Sequence, residues 1–200
     1  MRRIGVIGGT FDPIHYGHLA AAEEARVRVN LERVLFVVAR VPPHKLDEEV
    51  TLAEHRLAMV SLAIASNPYF EVSTVDMERP GPSYTVDTIS ILQEQSGQET
   101  ELYFIMGMDS LAELPAWHEP QRLIRLCRLV AVKRPGFQMD LDQLEASLPG
   151  ISSQVQIIDM PEVDISSTEL QERVRDGLPI KYQVPEEVET YINEHHLYRA

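Results

Sequence analysis

Six short apolar runs recur along the chain: Arg3–Ile7, Arg33–Ala39, Phe70–Val75, Glu101–Met106, Arg128–Lys133 and Gln154–Asp159. Each is short enough to be a strand buried on both faces, the situation of strands in a parallel sheet. Between them lie helical patterns: Leu19–Val29, Leu52–Ser66, Thr85–Gln95, a broken stretch from Asp109 to Leu126, and Leu141–Leu148. Strand and helix in strict alternation predict an α/β fold: a doubly wound, Rossmann-like, mostly parallel sheet with helices on both faces. In such sheets ligands gather beyond the carboxyl ends of the strands, where the strand order reverses. Ser166 to Ala200 reads as two further helices joined by Gly177-Leu178-Pro179, and no linker marks a boundary. The expectation is one domain over residues 1–200, the C-terminal helices from about 166 included.

The first strand leads into Gly8-Gly9-Thr10-Phe11-Asp12-Pro13-Ile14-His15-Tyr16-Gly17-His18, and an alanine-rich helical run follows. Gly8 and Gly9 are expected to take backbone conformations closed to other residues and to let a ligand approach the main chain. A strand, a glycine loop and a helix N-terminus together form a phosphate site, because free N–H groups and the positive dipole end point into one crevice. The loop has no Gly-Lys-Ser/Thr ending, which excludes a Walker A site. Gly5, Gly8 and Gly9 do not satisfy the GxGxxG dinucleotide fingerprint. His15 and His18 stand three apart, and both can face the crevice if the chain turns or the helix starts there.

The charge balance narrows the partners. A net charge of −13 argues against a nucleic-acid surface, which needs excess Lys and Arg, while a nucleotide needs only a few local cations. The single cysteine, Cys127, permits no intrachain disulfide and no zinc knuckle, and its apolar neighbours suggest a small buried hydrophobe. No run is long enough for a membrane span and no signal-peptide core is visible, so the chain reads as cytoplasmic, with no membrane partner.

The eleven residues from Gly8 resemble the GGTFDPxHxGH signature of the nucleotidyltransferase superfamily, marked by its His-x-x-His pair. Their wording is close to that of the bacterial nicotinate-mononucleotide adenylyltransferases, and the resemblance runs on to Tyr191-Ile192-Asn193 and Leu197-Tyr198-Arg199. It implies a nucleotidyltransferase domain that moves the adenylyl group of ATP to nicotinate mononucleotide. The products would be nicotinate adenine dinucleotide and pyrophosphate, a step of NAD biosynthesis, with Mg²⁺ carried on the ATP phosphates. A homo-oligomer stays open. Phosphopantetheine is the rival acceptor, and a nucleotide-binding module without turnover is the rival of another class.

The resemblance also assigns residues. His15, His18 and Lys45 would be catalytic, with the imidazoles meeting charge that develops at phosphorus. ATP would lie against Gly8, Gly9, Thr10, Phe11, His18, Gly107, Asp109, Arg134, Ser166, Ser167 and Thr168. For Asp109 this means accepting ribose hydroxyls, and for the last three it means hydroxyls and helix N–H groups; simple helix capping is the plainer reading of Ser166-Ser167-Thr168. The mononucleotide would meet His44, Lys45, Tyr84, Thr85 and Trp117, with the indole on the pyridine ring. His-x-x-His has no further donor at ligand spacing, so no metal site is expected in the protein itself. Arg56 is placed near the phosphates by the resemblance, though alone it reads as an ordinary helix-face arginine. Gln171 departs from the pattern, standing where a phosphate-binding arginine is expected. An amide there predicts weaker ATP binding than arginine would give, unless Arg173 or Lys181 supplies the charge.

Overall fold

A computed structural model describes residues 1–45, 49–133, 139–161 and 163–199. Its strands are β1 (Arg2–Gly9), β2 (Arg33–Val38), β3 (Phe70–Ser73), β4 (Thr100–Gly107), β5 (Arg128–Lys133) and β6 (Val155–Asp159). They form one six-stranded sheet in the order β3-β2-β1-β4-β5-β6, and every neighbouring pair runs parallel. The order reverses between β1 and β4, whose register pairs Val6 with Phe104 and Ile7 with Ile105. The doubly wound parallel fold expected from the alternation is therefore present.

The helices are α1 (Tyr16–Val29), α2 (Ala53–Ile64), α3 (Val75–Glu78), α4 (Thr85–Ser96), α5 (Met108–Glu113), α6 (Pro120–Leu126), α7 (Leu141–Ser147), α8 (Ser167–Arg175) and α9 (Glu186–Glu194). The short α3 was not foreseen, because Val75–Glu78 has no room for a helical period. The break in the Asp109–Leu126 stretch falls at the 3-10 turn Leu114–Ala116, where Pro115 ends α5's hydrogen bonding.

Side-chain alternation along the strands fills two cores. Val34, Phe36 and Val38 of β2 with Tyr103 and Ile105 of β4 pack among Ala22, Met59, Val60, Leu170, Val188 and Ile192, the faces of α1, α2, α8 and α9. The intervening Leu35, Val37, Leu102, Phe104 and Met106 pack on Val86, Ile89, Leu111, Leu123, Ile124 and Leu144 from α4 to α7. Strands covered on both faces explain why they read as continuous apolar runs. One glycine is fixed by crowding: a Cβ at Gly5 would stand 2.8 Å from Leu31 Cδ1.

Cys127 lies in the second of these cores, 5% exposed. Burial pushes its thiol from an ordinary 9.0 up to about 12. Between these values the unfolded chain releases this proton while the folded chain keeps it. The stability that the neutral thiol confers is thus complete below pH 9.0 and falls as pH rises toward about 12. At mildly alkaline pH, iodoacetamide should leave the folded protein unlabelled and modify Cys127 rapidly in concentrated urea. Equal labelling rates in the two states, read by mass spectrometry, would refute its burial.

Candidate active site

The carboxyl ends of β1 and β4 open onto two clefts that share a wall. The larger, of about 630 Å³, is lined by Ile7, Gly8, His15, His18, Gly107, Asp109, Ser110, Trp117, Met160, Val163, Ser166 and Ser167 among others. The smaller, of about 220 Å³, is lined by Gly8, Gly9, Thr10, Pro42, Pro43, His44, Lys45, Thr85, Phe104, Ser110 and Trp117 among others. Gly8, Phe104, Ser110 and Trp117 belong to both. Both clefts therefore lie where the strand order reverses. A third, shallow recess runs outward from Trp117 between His44, Tyr84, Thr85 and His118.

The imidazole pair sits at the start of α1. His15, 4% exposed, is the N-cap residue, and His18 is the third residue of the helix. Their rings stack at a centroid distance of 3.8 Å, with 26° between planes. The His15 backbone N–H donates to His18 Nδ1 at 3.3 Å. That nitrogen consequently carries no proton, and a neutral His18 bears its proton on Nε2, as a donor. Phe11 meets the His18 ring edge-on at 5.0 Å and closes it from below. Gly17 is required by this stack, because a Cβ there would lie 3.0 Å from the His15 ring.

Gly8 and Gly9 differ from expectation in one respect. Neither has positive φ; they are the last residues of β1, and the residue of this loop in the left-handed region is Phe11, at φ 51°. Space is tight only at Gly9, where a Cβ would stand 3.1 Å from the Phe11 ring and that ring would have to shift.

The geometry brings together most of the residues singled out in the sequence. His15, His18, Gly107, Asp109, Ser166 and Ser167 face the larger cleft, and Gly9, Thr10, His44, Lys45 and Thr85 the smaller. Gly9 and Thr10 are thus on the opposite side of the shared wall from Asp109. Tyr84 faces only the outer recess, stacked on His118 at 4.2 Å. Phe11 is buried at 2% exposure and, like Thr168, lines none of the three. Ser166 Oγ caps α8 by accepting the Glu169 N–H at 3.2 Å, and Ser167 Oγ donates to the Pro13 carbonyl at 2.9 Å. Arg134 lies outside the described residues. Trp117 packs edge-on to Phe104 at 6.2 Å, and its buried indole N–H has no hydrogen-bond partner among the described residues.

Two expectations are corrected. Arg56 is no surface arginine: it is 1% exposed, and its guanidinium donates to the carbonyls of Thr51 (2.7 Å), Thr10 (2.8 Å), Ala39 (2.8 Å) and Arg40 (3.3 Å). Burial holds its pKa below the usual arginine value, and the Asp12 carboxylate opposes that shift. Its spacing was a usable signal, since Arg56, Met59, Val60 and Ile64 share one buried stripe of α2. Gln171 lines no cleft either, because its Nε2 donates to the Asp12 carbonyl at 2.6 Å. Arg173 and Lys181 do not replace the missing charge. The first bonds the Pro179 carbonyl at 2.8 Å, and the second pairs with Glu186 at 3.2 Å.

The sequence profile of the cytidylyltransferase-like family matches residues 6–173. The chain belongs to the cytidylyltransferase-like family. Two of its relatives in that family are described as probable nicotinate-nucleotide adenylyltransferases. The one from Roseiflexus sp. (strain RS-1) is 51% identical over 98% of both chains. The one from Thermomicrobium roseum is 46% identical over 100% of this chain and 93% of its own. A solved structure of Plasmodium falciparum nicotinic acid mononucleotide adenylyltransferase complexed with NaAD superposes with a TM-score of 0.81. It covers 99% of this chain and 98% of its own at 21% identity, a likeness of fold. The cytidylyltransferase-like fold thus carries both clefts and the histidine pair at its switch point.

Replacing Arg56 by methionine would fill its space but remove the donor of four carbonyls, that of Ala39 buried and the other three partly buried. The expected loss is about 3–5 kcal/mol, the range for removing one partner of a buried charge network. Lysine keeps the charge without the planar fork and should recover only part of it. Urea unfolding midpoints of the three proteins measure this, and a methionine variant within experimental error of wild type would show that the guanidinium holds nothing.

Proposed function

We propose that the chain catalyses adenylyl transfer from ATP to nicotinate mononucleotide, giving nicotinate adenine dinucleotide and pyrophosphate. One observation carries this reading beyond the name of its relatives. Two clefts meet along Gly8, Phe104, Ser110 and Trp117, and the stacked His15–His18 pair lines the larger of them at a helix N-terminus. Such an arrangement suits two substrates whose phosphates meet over the first turn of α1.

The larger cleft would take ATP, with Asp109 at the ribose and Ser166 and Ser167 near the phosphates. The smaller cleft and outer recess would take the mononucleotide, with His44 and Lys45 at its phosphate and Trp117 against the pyridine ring. ATP enters as its magnesium complex, the ion carried on the phosphates. A phosphate oxygen of the mononucleotide attacks the ATP α-phosphorus and forms the new P–O bond. The bond from that phosphorus to the oxygen bridging to the β-phosphate breaks, and pyrophosphate leaves with the electron pair. No protein nucleophile is needed, so the contribution of the chain is alignment and electrostatics. The Nε2 donor of His18 and the positive dipole end of α1 favour the charge that develops at phosphorus.

Nicotinate mononucleotide and magnesium ATP should yield the dinucleotide and pyrophosphate in equal amounts by chromatography. Phosphopantetheine should yield nothing, and product from it instead would overturn the acceptor. His18→Ala should lower kcat by roughly 10²–10³-fold, the usual loss on removing one such donor, with the fold retained in a thermal melt. A folded variant with near wild-type kcat would remove His18 from the chemistry.

Acceptor recognition is read separately. Trp117→Ala should raise the KM for the mononucleotide by the equivalent of roughly 1–3 kcal/mol, as for lost base stacking, and the KM for ATP far less. Equal increases for both substrates would indicate damage to the shared wall instead of a lost ring contact.

A further inference from the structure

The loop that carries the histidines is held on its far side by groups from the last third of the chain. Ser167 Oγ donates to the Pro13 carbonyl at 2.9 Å, and the Gln183 carbonyl accepts the Tyr16 N–H at 3.1 Å. The tightest contacts converge on Asp12, which is 5% exposed. Tyr198 donates its hydroxyl to Asp12 Oδ1 at 2.6 Å, Gln171 Nε2 donates to the Asp12 carbonyl at 2.6 Å, and the Thr51 N–H occupies Oδ2 at 3.0 Å. Tyr198 stands at φ 64°, a conformation a tyrosine keeps only where its surroundings impose it. Asp12, Gln171 and Tyr198 line neither cleft. Only Pro13 and Ile14 separate Asp12 from His15, and Ile14 is fully buried, so little slack exists to absorb a shift of Asp12.

We propose that Tyr198 and Gln171 are positioning residues for the reaction: through the carboxylate and carbonyl of Asp12 they set how His15 and His18 face the larger cleft. This rests on the adenylyl-transfer reading for its kinetic consequence, though the geometry it asserts exists without substrate. The hydroxyl and the amide act on one loop from two directions, so loss of either lets Asp12 and the start of α1 move together. Neither residue touches a substrate. Their removal therefore affects the alignment of the transition state and leaves the binding of both substrates intact.

Tyr198→Phe removes one hydroxyl, and Gln171→Met removes the amide at similar size. Each folded variant should lose roughly ten- to a hundredfold in kcat, the scale of a remote misplacement, with the KM values for ATP and nicotinate mononucleotide unmoved. In a His18→Ala background, Tyr198→Phe should cost much less, because the group it positions is gone. A residue that only stabilised the fold would lower the melting temperature without this kcat split. The resting protein answers separately by NMR of ¹³C-labelled histidine: both variants should shift the His15 and His18 ring signals and leave that of His118 in place. If the wild type makes no dinucleotide, the activity reading fails while the ring signals still decide this one. Should Tyr198→Phe fail to fold, Gln171→Met carries the same two measurements. A wild-type kcat in the folded variants, or ring signals that do not move, overturns the proposal.

Discussion

The site depends on a guanidinium that never meets solvent. Arg56 gathers the carbonyls of Thr10 after β1 and of Ala39 and Arg40 after β2, and a third anchor comes from Thr51 just before α2. Loops that leave adjacent parallel strands have no ladder to join them, and their inward carbonyls need donors. One planar cation with a fixed fork meets that need for several at once, which a lysine or a single amide does not. The Asp12 carboxylate offsets part of the cost of burying the charge, and the Thr51 N–H and Tyr198 hydroxyl satisfy the carboxylate in turn. The phenol of Tyr198 is pushed up first by burial and then by Asp12, so it stays a donor throughout the physiological range. The polar interior behind the loop is one connected set.

On that base the parallel sheet sets the position of the chemistry. Chain reversal between β1 and β4 leaves a crevice that no crossover helix fills. Phe104 and Trp117 divide it, and Gly8 keeps the floor low enough for both halves to share it.

Much of this was legible in the sequence because the features concerned are local. Buried parallel strands announce themselves as unbroken apolar runs, and all six were placed to within about two residues at each end, the ordinary uncertainty of such boundaries. The motif showed that the two histidines share a crevice. What stayed hidden is long-range. Nothing near Gln171 in the sequence says that its amide reaches Asp12, and analogy with an arginine pointed it at phosphate instead. Arg56, placed near the phosphates by resemblance and otherwise readable as a helix-face arginine, hid its role because charge was weighed ahead of its position in the α2 stripe. For Gly9 torsional freedom was the wrong cause, since it can be guessed from a residue type while the approach of the Phe11 ring cannot.

The bonds from Ser167, Gln171 and Tyr198 to the first loop span 154, 159 and 186 residues. During synthesis the motif leaves the ribosome before the groups that hold it. The nascent chain therefore carries its histidines without the scaffold that orients them until at least 154 residues beyond Pro13 are made. Contacts of such sequence separation also belong to the slow part of folding, because the loop-closing entropy precedes the reward. The geometry of the histidine pair is consequently acquired late, although its residues are made before those that hold it.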